Sequence, residues 1–553
     1  MAGPQPSDRL FAFLALLILC LAVVMRLDGL RFGLPALLDA DEPIFVLTSL
    51  RLLRDHTLNP GWFGHPGTTT IYALAVIETM TYMAWHLVGR FGATHDFAHA
   101  MYTDPSIVIL PDRIFILVCG LLTILLTVRI AQRLFGARVG LVAALLLAVD
   151  PLHIRYSQII RTDMHATVFV LLEILAAITI VQKGRTRDYL LAALWLGFAC
   201  ATKWPAAAVV AAVVGAAALR WHQHRGETMT IACNLAFYFA GSIAALFMAS
   251  PYLFLDYTTV LDNLHGEARP FHLGATGYGF LGNLGWYLTG PATTAMGVAG
   301  VMFAAAGIWL GSRNSRIFLA ILVPIFIVFM AMICAQALIW ERWLVPLLPL
   351  LTISAALGIV GIAETARARF GDSAARVALL AAIAPAILPT LATARTLSGE
   401  RTVETRQLAT QWARAHVAPG ETVTIEHLAF DVVGEPWRFL YPVGDKGCVD
   451  VRANLTSEIG YSTVGKWRGA RPVVDIGTVA PDKLASCRAD WAILSNWDRY
   501  RAEPEHFQAE IDNYDRYVRD GHGIVVATFS PVRGSVGGRV VRIVRFPSHA
   551  SQR

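Results

Sequence analysis

Apolar runs near or above the length needed to cross a bilayer recur from Leu10 to about Arg395 and then stop. In hydrocarbon every backbone N–H and C=O must be satisfied internally, so runs of about 20 apolar residues are read as helices. The pattern predicts a polytopic α-helical membrane protein over residues 1–395 and a separate soluble α/β domain over 396–553. Composition agrees: 55% of the 553 residues are hydrophobic and 16% charged, at a mean hydropathy of +0.52. Such a chain is too apolar for a soluble enzyme and too irregular for a porin.

The net charge of +6 would suit nucleic acid if it were gathered in one patch. Instead the cations sit in short connections between apolar runs: Arg129, Arg133 and Arg138, then Lys183, Arg185 and Arg187, then Arg220 and Arg225, Arg313 and Arg316, and finally Arg367, Arg369 and Arg376. The positive-inside rule makes these loops cytoplasmic and gives about eleven spans. The N-terminus is then cytoplasmic and the domain from 396 extracytoplasmic, in a bacterial inner membrane; no nucleic-acid partner is expected. The run 10–26 resembles a signal sequence, but no A-x-A-like site follows it, so it reads as a retained anchor. The run 66–88 carries Thr68 to Thr70, Glu78, Thr81 and Tyr82; as an interfacial or re-entrant segment it leaves every basic loop inside.

The other loops, 28–112, 150–163, 202–205, 251–285 and 336–342, are rich in Asp, His, Trp and Tyr and face outward on this reading. The first contains Asp39-Ala40-Asp41-Glu42-Pro43 immediately after an apolar run. Carboxylates at a membrane surface suit acid–base chemistry, and an acid before Pro43 also suits an N-cap. His65, in the turn-rich stretch Gly61 to Gly67, reads as a positioning residue. Arg155, Arg161 and Asp163 lie in an outer loop where arginine is out of place; they form either a local Arg–Asp pair closing a helix end or one wall of a site. Lys203, in Thr202-Lys203-Trp204, either snorkels or meets an anionic head group, and Arg342, between Trp340 and Trp343, suits a phosphate clamp. Glu173 is an acid in an apolar run with no evident partner.

Of seven cysteines, five lie in apolar runs as small hydrophobes; none has metal-ligand spacing. Cys448 and Cys487 are the two in the outer domain, where a disulfide is permitted but not required. That domain reads as a helix over 401–416, strands at Thr422–Glu426, Pro472–Ile476, Trp491–Ser495, Ile524–Phe529 and Arg539–Phe546, and a helix from Glu505 to Arg519.

Taken together, the motifs resemble the protein O-mannosyltransferase-like branch of the C-type glycosyltransferase superfamily, which includes the lipid A aminoarabinose transferases. Asp41-Glu42 looks like the family's Asp-Glu pair, and Gly64-His65-Pro66 like its His-Pro-Pro element, with Gly67 in place of the second proline. Tyr156 to Asp163 is similar to its Arg-rich segment, Thr202-Lys203-Trp204 to its Thr-Lys turn, Glu341-Arg342-Trp343 with Pro346 and Pro349 to its Arg-Tyr-x-x-Pro stretch, and Ser250-Pro251-Tyr252 with Asp256 to a further outer loop. Where the lipid A enzymes often carry an arginine, this chain has Phe45.

The resemblance implies transfer of a monosaccharide, with inversion, from a polyprenyl-phosphate donor to a hydroxyl of an acceptor lipid, glycan or protein. Asp41, Glu42 and Asp163 would be the catalytic carboxylates, with Asp41 the base; Lys203, Arg342 and Arg161 would bind the donor phosphate; His65 and Tyr252 would position. No cofactor or metal is obligatory, although Asp41, Glu42 and Asp163 are a loose set of oxygen ligands for a divalent cation. The competing class is a transporter or flippase of a lipid-linked sugar, which places its polar site near the midplane rather than on one side.

Overall fold

The computed structural model describes residues 7–427, 430–432, 434–450, 467–469, 471 and 473–547. Among them, nine helices are long and apolar enough to cross a membrane. They are α1 (Asp8–Leu27), α5 (Ser106–Phe135), α8 (Thr162–Lys183), α10 (Val210–Gln223, entered through a 3₁₀ turn from Trp204), α11 (Thr228–Ala249), α15 (Pro291–Asn314), α16 (Arg316–Cys334), α17 (Leu348–Phe370, entered through a 3₁₀ turn from Glu341) and α18 (Asp372–Thr402). Two shorter helices, α6 (Ala137–Val149) and α9 (Thr186–Thr202), pack among them, of which α6 is apolar, so the count falls short of the eleven spans expected. The protein is a multi-pass membrane protein.

One apolar core runs through this bundle, from Ala22 on α1 to Ala386 on α18. Its helices touch closely where side chains are smallest. A Cβ on Gly307 of α15 would lie 1.7 Å from the Ser354 carbonyl, and one on Gly358 of α17 would lie 2.3 Å from that of Phe303. Small residues let membrane helices gain packing energy when lipid offers no hydrophobic advantage.

The segment between α1 and α5 folds back as α2 (Glu42–Asp55), α3 (Thr68–Leu87) and α4 (Thr94–Thr103). The expected interfacial run is α3, which is not among the nine membrane-length apolar helices. Between α6 and α8 lies the single-turn α7 (Pro151–Tyr156); after α11 come α12 (Tyr252–Leu255), α13 (Tyr257–Glu267) and α14 (Gly279–Thr289).

Beyond α18, helix α19 (Thr405–His416) leads into a six-stranded sheet: β1 (Thr422–Ile425), β2 (Arg438–Pro442), β3 (Cys448–Asp450), β4 (Trp491–Leu494), β5 (Ile524–Phe529) and β6 (Val541–Arg545). The order is β3-β2-β1-β4-β6-β5, with β1 parallel to both β2 and β4 and the remaining pairs antiparallel. All four residues of β4 are buried because both faces are covered. Ala409 and Ala413 of α19 pack on one side; on the other lie α20 (Trp497–Arg501) and α21 (Pro504–Asp520) through Tyr500, Tyr514 and Tyr517.

Strands β2 and β3 were not expected from the sequence. The strand expected at 472–476 is absent from its described residues, where Asp475 instead folds into a turn with Thr478. Cys448 and Cys487 are disulfide-bonded, tying β3 to the 3₁₀ turn Pro481–Cys487.

Candidate functional site

The start of α2 decides which acid is available for chemistry. Asp39 Oδ1 accepts the main-chain N–H of Asp41 at 3.0 Å and of Glu42 at 3.3 Å, so Asp39 supplies the cap and the Asp41 side chain makes no capping bond. Pro43, within the first turn, needs no donor there. The two acids then part. Asp41 remains 28% exposed, whereas Glu42 is fully buried. Arg113 donates from Nε and Nη2 to the two Glu42 oxygens at 2.8 and 2.7 Å, and Ile160 N–H adds a bond at 3.1 Å. Both Glu42 oxygens are thus taken up by Arg113 and the Ile160 N–H.

Around Asp41 the cations converge from separate loops. Arg161 pairs with Asp41 and lies 3.3 Å from both oxygens of Asp39; Arg342 Nη1 lies 3.4 Å from Asp41 Oδ2. Burial alone would raise the Asp41 carboxyl, but Arg161 and Arg342 outweigh it and hold it at about 2. Burial likewise works against the Arg161 charge, and Asp39 with Asp41 still raises that guanidinium above its ordinary value. Arg342 lies over Trp340, its guanidinium carbon 4.4 Å from the ring centroid. Arg161 and Asp163 do not form the local pair considered above: Arg161 goes to Asp39 and Asp41, and Asp163 takes Lys203. Arg155 is held by Glu341 at 2.5 Å, beside Tyr156, whose hydroxyl donates to the same oxygen at 2.8 Å.

Lys203 forms the C-cap of α9, and both it and Asp163 are buried. Burial lowers the ammonium below its ordinary value although Asp163 opposes this. Its backbone is pinned by the loop holding His65: Pro66 bridges Lys203, Gly67 N–H donates to Thr202 O at 3.2 Å, and Trp204 N–H donates to His65 O at 3.1 Å. Gly67 has φ +71°, which proline cannot adopt, and its N–H is used; both facts explain why the second proline of the family pattern is missing. Phe45 also finds its reason, standing edge-on to Trp62 at 5.6 Å and 6.0 Å from the His65 ring. Burial, with Arg342 and Lys203 nearby, keeps His65 neutral, down at about 3. Tyr252 does not join the charged cluster; it packs with Phe63 and Trp204 in a small apolar group behind the His65 loop.

The site is therefore three carboxylates, Asp39, Asp41 and Asp163, interleaved with Arg161, Lys203 and Arg342. Among the described residues no group of three or more His, Cys, Asp or Glu is arranged to hold a metal. An apolar cleft of about 570 Å³ is lined by Phe271, Phe280, Gln336, Ala337 and His506, with none of the six charged residues of the cluster in its wall. Sequence reasoning missed Asp39 as the cap, Arg113 as the clamp on Glu42, and buried Arg26, which donates to the Ala22, Leu147 and Ala148 carbonyls and meets His153 Nδ1 at 2.6 Å. The partner of Glu173 is Tyr238, whose hydroxyl donates at 2.6 Å.

Comparison with known proteins places this geometry. Residues 108–254 match the dolichyl-phosphate-mannose-protein mannosyltransferase family. No curated protein matches in sequence. The apo structure of ArnT from Cupriavidus metallidurans is 15% identical, with a TM-score of 0.52 over 96% of this chain and 97% of that one. Its undecaprenyl phosphate complex gives 0.50 at 14% identity over 98% of each. The Archaeoglobus fulgidus oligosaccharyltransferase tethered to an acceptor peptide gives 0.53 at 12% identity, over 92% of this chain and 72% of that one. The chain thus shares its fold with these structures along nearly its whole length, and residues 108–254 are similar to the dolichyl-phosphate-mannose-protein mannosyltransferase family.

Proposed function

We propose that this protein moves a hexosyl or pentosyl unit from a polyprenyl-phosphate donor to an acceptor hydroxyl, with inversion, on the extracytoplasmic side of a bacterial inner membrane. The observation that carries this reading is the partly exposed Asp41 carboxylate set between Arg161 and Arg342, with Lys203 in the same cluster. The ligands named for the neighbours of the same fold, undecaprenyl phosphate and an acceptor peptide, support it.

Asp41 takes the proton of the attacking hydroxyl as the new bond to the anomeric carbon forms. The bond from that carbon to the phosphate oxygen breaks, and Lys203 and Arg342 stabilise the charge growing on the phosphate. Held at about 2, Asp41 is a weak base in the empty protein. A donor phosphate that draws Arg342 to itself removes one of the two charges holding Asp41 down, so donor binding activates the base. Asp163 keeps Lys203 charged and oriented, and Glu42 holds the loop through Arg113. This scheme requires no metal; a divalent cation would have to displace Arg161 from Asp39 and Asp41.

The test is transfer of labelled sugar from a polyprenyl-phosphate pool, with donor binding measured in parallel. Asp41→Asn should abolish turnover and retain donor binding, whereas Lys203→Ala and Arg342→Ala should weaken both, with roughly 10²- to 10³-fold losses in rate. Near-normal transfer by Asp41→Asn would remove the base assignment. Movement of lipid across the bilayer with no transfer in the wild type would make the protein a flippase.

A further inference from the structure

A second polar cluster lies in the sheet domain, at the carboxyl ends of the adjacent parallel strands β1 and β4. The chain leaves β1 toward β2 on one side, and β4 enters on the other, so the order reverses between them. Open sheets bind ligands in the crevice outside the carboxyl ends of strands at such a reversal. Here Glu426 and His427 follow β1, and Ser495 and Asn496 follow β4.

His427 is 6% exposed, and neither of its ring nitrogens has a partner among the described residues. Buried polar atoms without partners are rare in native proteins and cost roughly 1–3 kcal/mol each. Arg406, at the first turn of α19, and Arg539, just before β6, act on this imidazole, and Arg499 of α20 acts on Arg539. Glu404 pairs with Arg406. Arg499 and Arg539 have no described carboxylate within ion-pair distance, Glu404 and Glu426 acting on Arg539 only from farther off, and they share one acceptor, Asn496 Oδ1.

The nearby acids are spent on neutral donors. Glu426 accepts from Tyr514 at 2.5 Å and from the N–H groups of Ile476, Ser495 and Asn496; Asp475 accepts from Asn496 Nδ2 at 2.8 Å and Tyr500 at 3.0 Å. The crevice therefore has donors in excess and too few acceptors, the condition that an oxyanion with several oxygens relieves.

One loop links this crevice to the membrane site. Arg499 Nη2 donates to Leu273 O at 3.0 Å, and Gly274 N–H donates to Glu503 at 2.8 Å. The preceding His272 stands edge-on to Trp340 at 5.0 Å, the ring on which Arg342 lies.

We propose that the carboxyl ends of β1 and β4, with His427, Arg539 and Arg499, bind a phosphate or carboxylate group, and that this group belongs to the acceptor. The site stands without the transferase reading; its assignment to the acceptor rests on that reading. Its ligand is a free anion or the head group of an anionic lipid.

The test uses full-length protein in detergent carrying Lys203→Ala with its compensating Asp163→Leu, and Arg342→Ala, so that the donor cations do not report and no buried carboxylate is stranded. Inorganic phosphate is titrated in one arm and phosphatidylglycerol micelles, against phosphatidylcholine, in the other. Saturable binding in either arm, weakened at least tenfold by Arg539→Gln and by His427→Gln, is expected, and the arm identifies the source. The same two changes in the otherwise native protein should leave undecaprenyl phosphate binding intact, which controls for folding. Binding in neither arm, or binding indifferent to both changes, overturns the site. An unchanged acceptor KM in an Arg539→Gln enzyme that has lost phosphate binding overturns the acceptor assignment, and absent transfer in the wild type is a failure of the transferase reading instead.

Discussion

Arg113 grips Glu42 by both carboxylate oxygens, at 2.8 and 2.7 Å, with neither side chain reaching solvent. The remaining Arg113 nitrogen donates to the Leu30 and Phe32 carbonyls at 2.7 and 2.9 Å, so one guanidinium fastens the loop after α1 to the start of α2. Removing one partner of such a pair leaves a buried charge. Glu42→Ala should therefore cost about 3–5 kcal/mol of stability, read as a lower unfolding midpoint in detergent. If Glu42 acted as a base instead, Glu42→Gln would abolish transfer while leaving the midpoint unchanged.

The coupling between donor and base predicts two different pH profiles. In the free protein Asp41 is ionised down to about 2, so on the proposed scheme kcat/KM for the donor should show no acid limb from this group above about pH 3. With donor bound and Arg342 drawn to phosphate, the Asp41 pKa rises, and kcat should fall as pH drops through that higher value. Coincident acid limbs in the two profiles would contradict the coupling.

Lys203 and Asp163 offer a separation of folding from chemistry. Lys203→Ala strands a buried carboxylate and should destabilise the protein by about 3–5 kcal/mol, and adding Asp163→Leu should restore most of that loss. Transfer should stay low in the double variant. Recovery of transfer along with the midpoint would make Lys203 structural only.

The Cys448–Cys487 bond closes a loop with a sequence separation of 39 residues. Cross-links of that span contribute roughly 3–4 kcal/mol. Alkylation without reduction followed by intact-mass measurement should leave these two thiols unlabelled, and Cys448→Ser should lower the midpoint of the sheet domain ahead of that of the bundle.

How much of this was legible in the sequence depended on whether a charge stood out of place. Asp41, Arg161, Lys203 and Arg342 all occur where topology alone would not put them, and the fold brings them together. Arg113 and Arg26 lie at the edges of apolar runs, where arginine reads as a flank; their partners Glu42 and His153 are 71 and 127 residues away, and no local pattern encodes such pairs. Asp39 and Asp41 were alike as text, and only the turn before α2 assigns one to the backbone and the other to the site. In the outer domain β2 and β3, of five and three residues, are too short for alternation to show, while 473–476 has strand-like composition but is bent by the Asp475 turn.

The Asp41–Arg342 contact joins positions 301 residues apart. At about 5–20 residues per second of synthesis, roughly 15–60 s separate the making of the acid from the making of its distant cation. During that interval Arg161 is the one cation of the pair flanking Asp41 that has been made, and the pocket is open on the side that Arg342 will close. A nascent chain stalled before residue 342 would thus carry Asp41 without its second arginine, so the order of synthesis also sets when this charged cluster can first be completed.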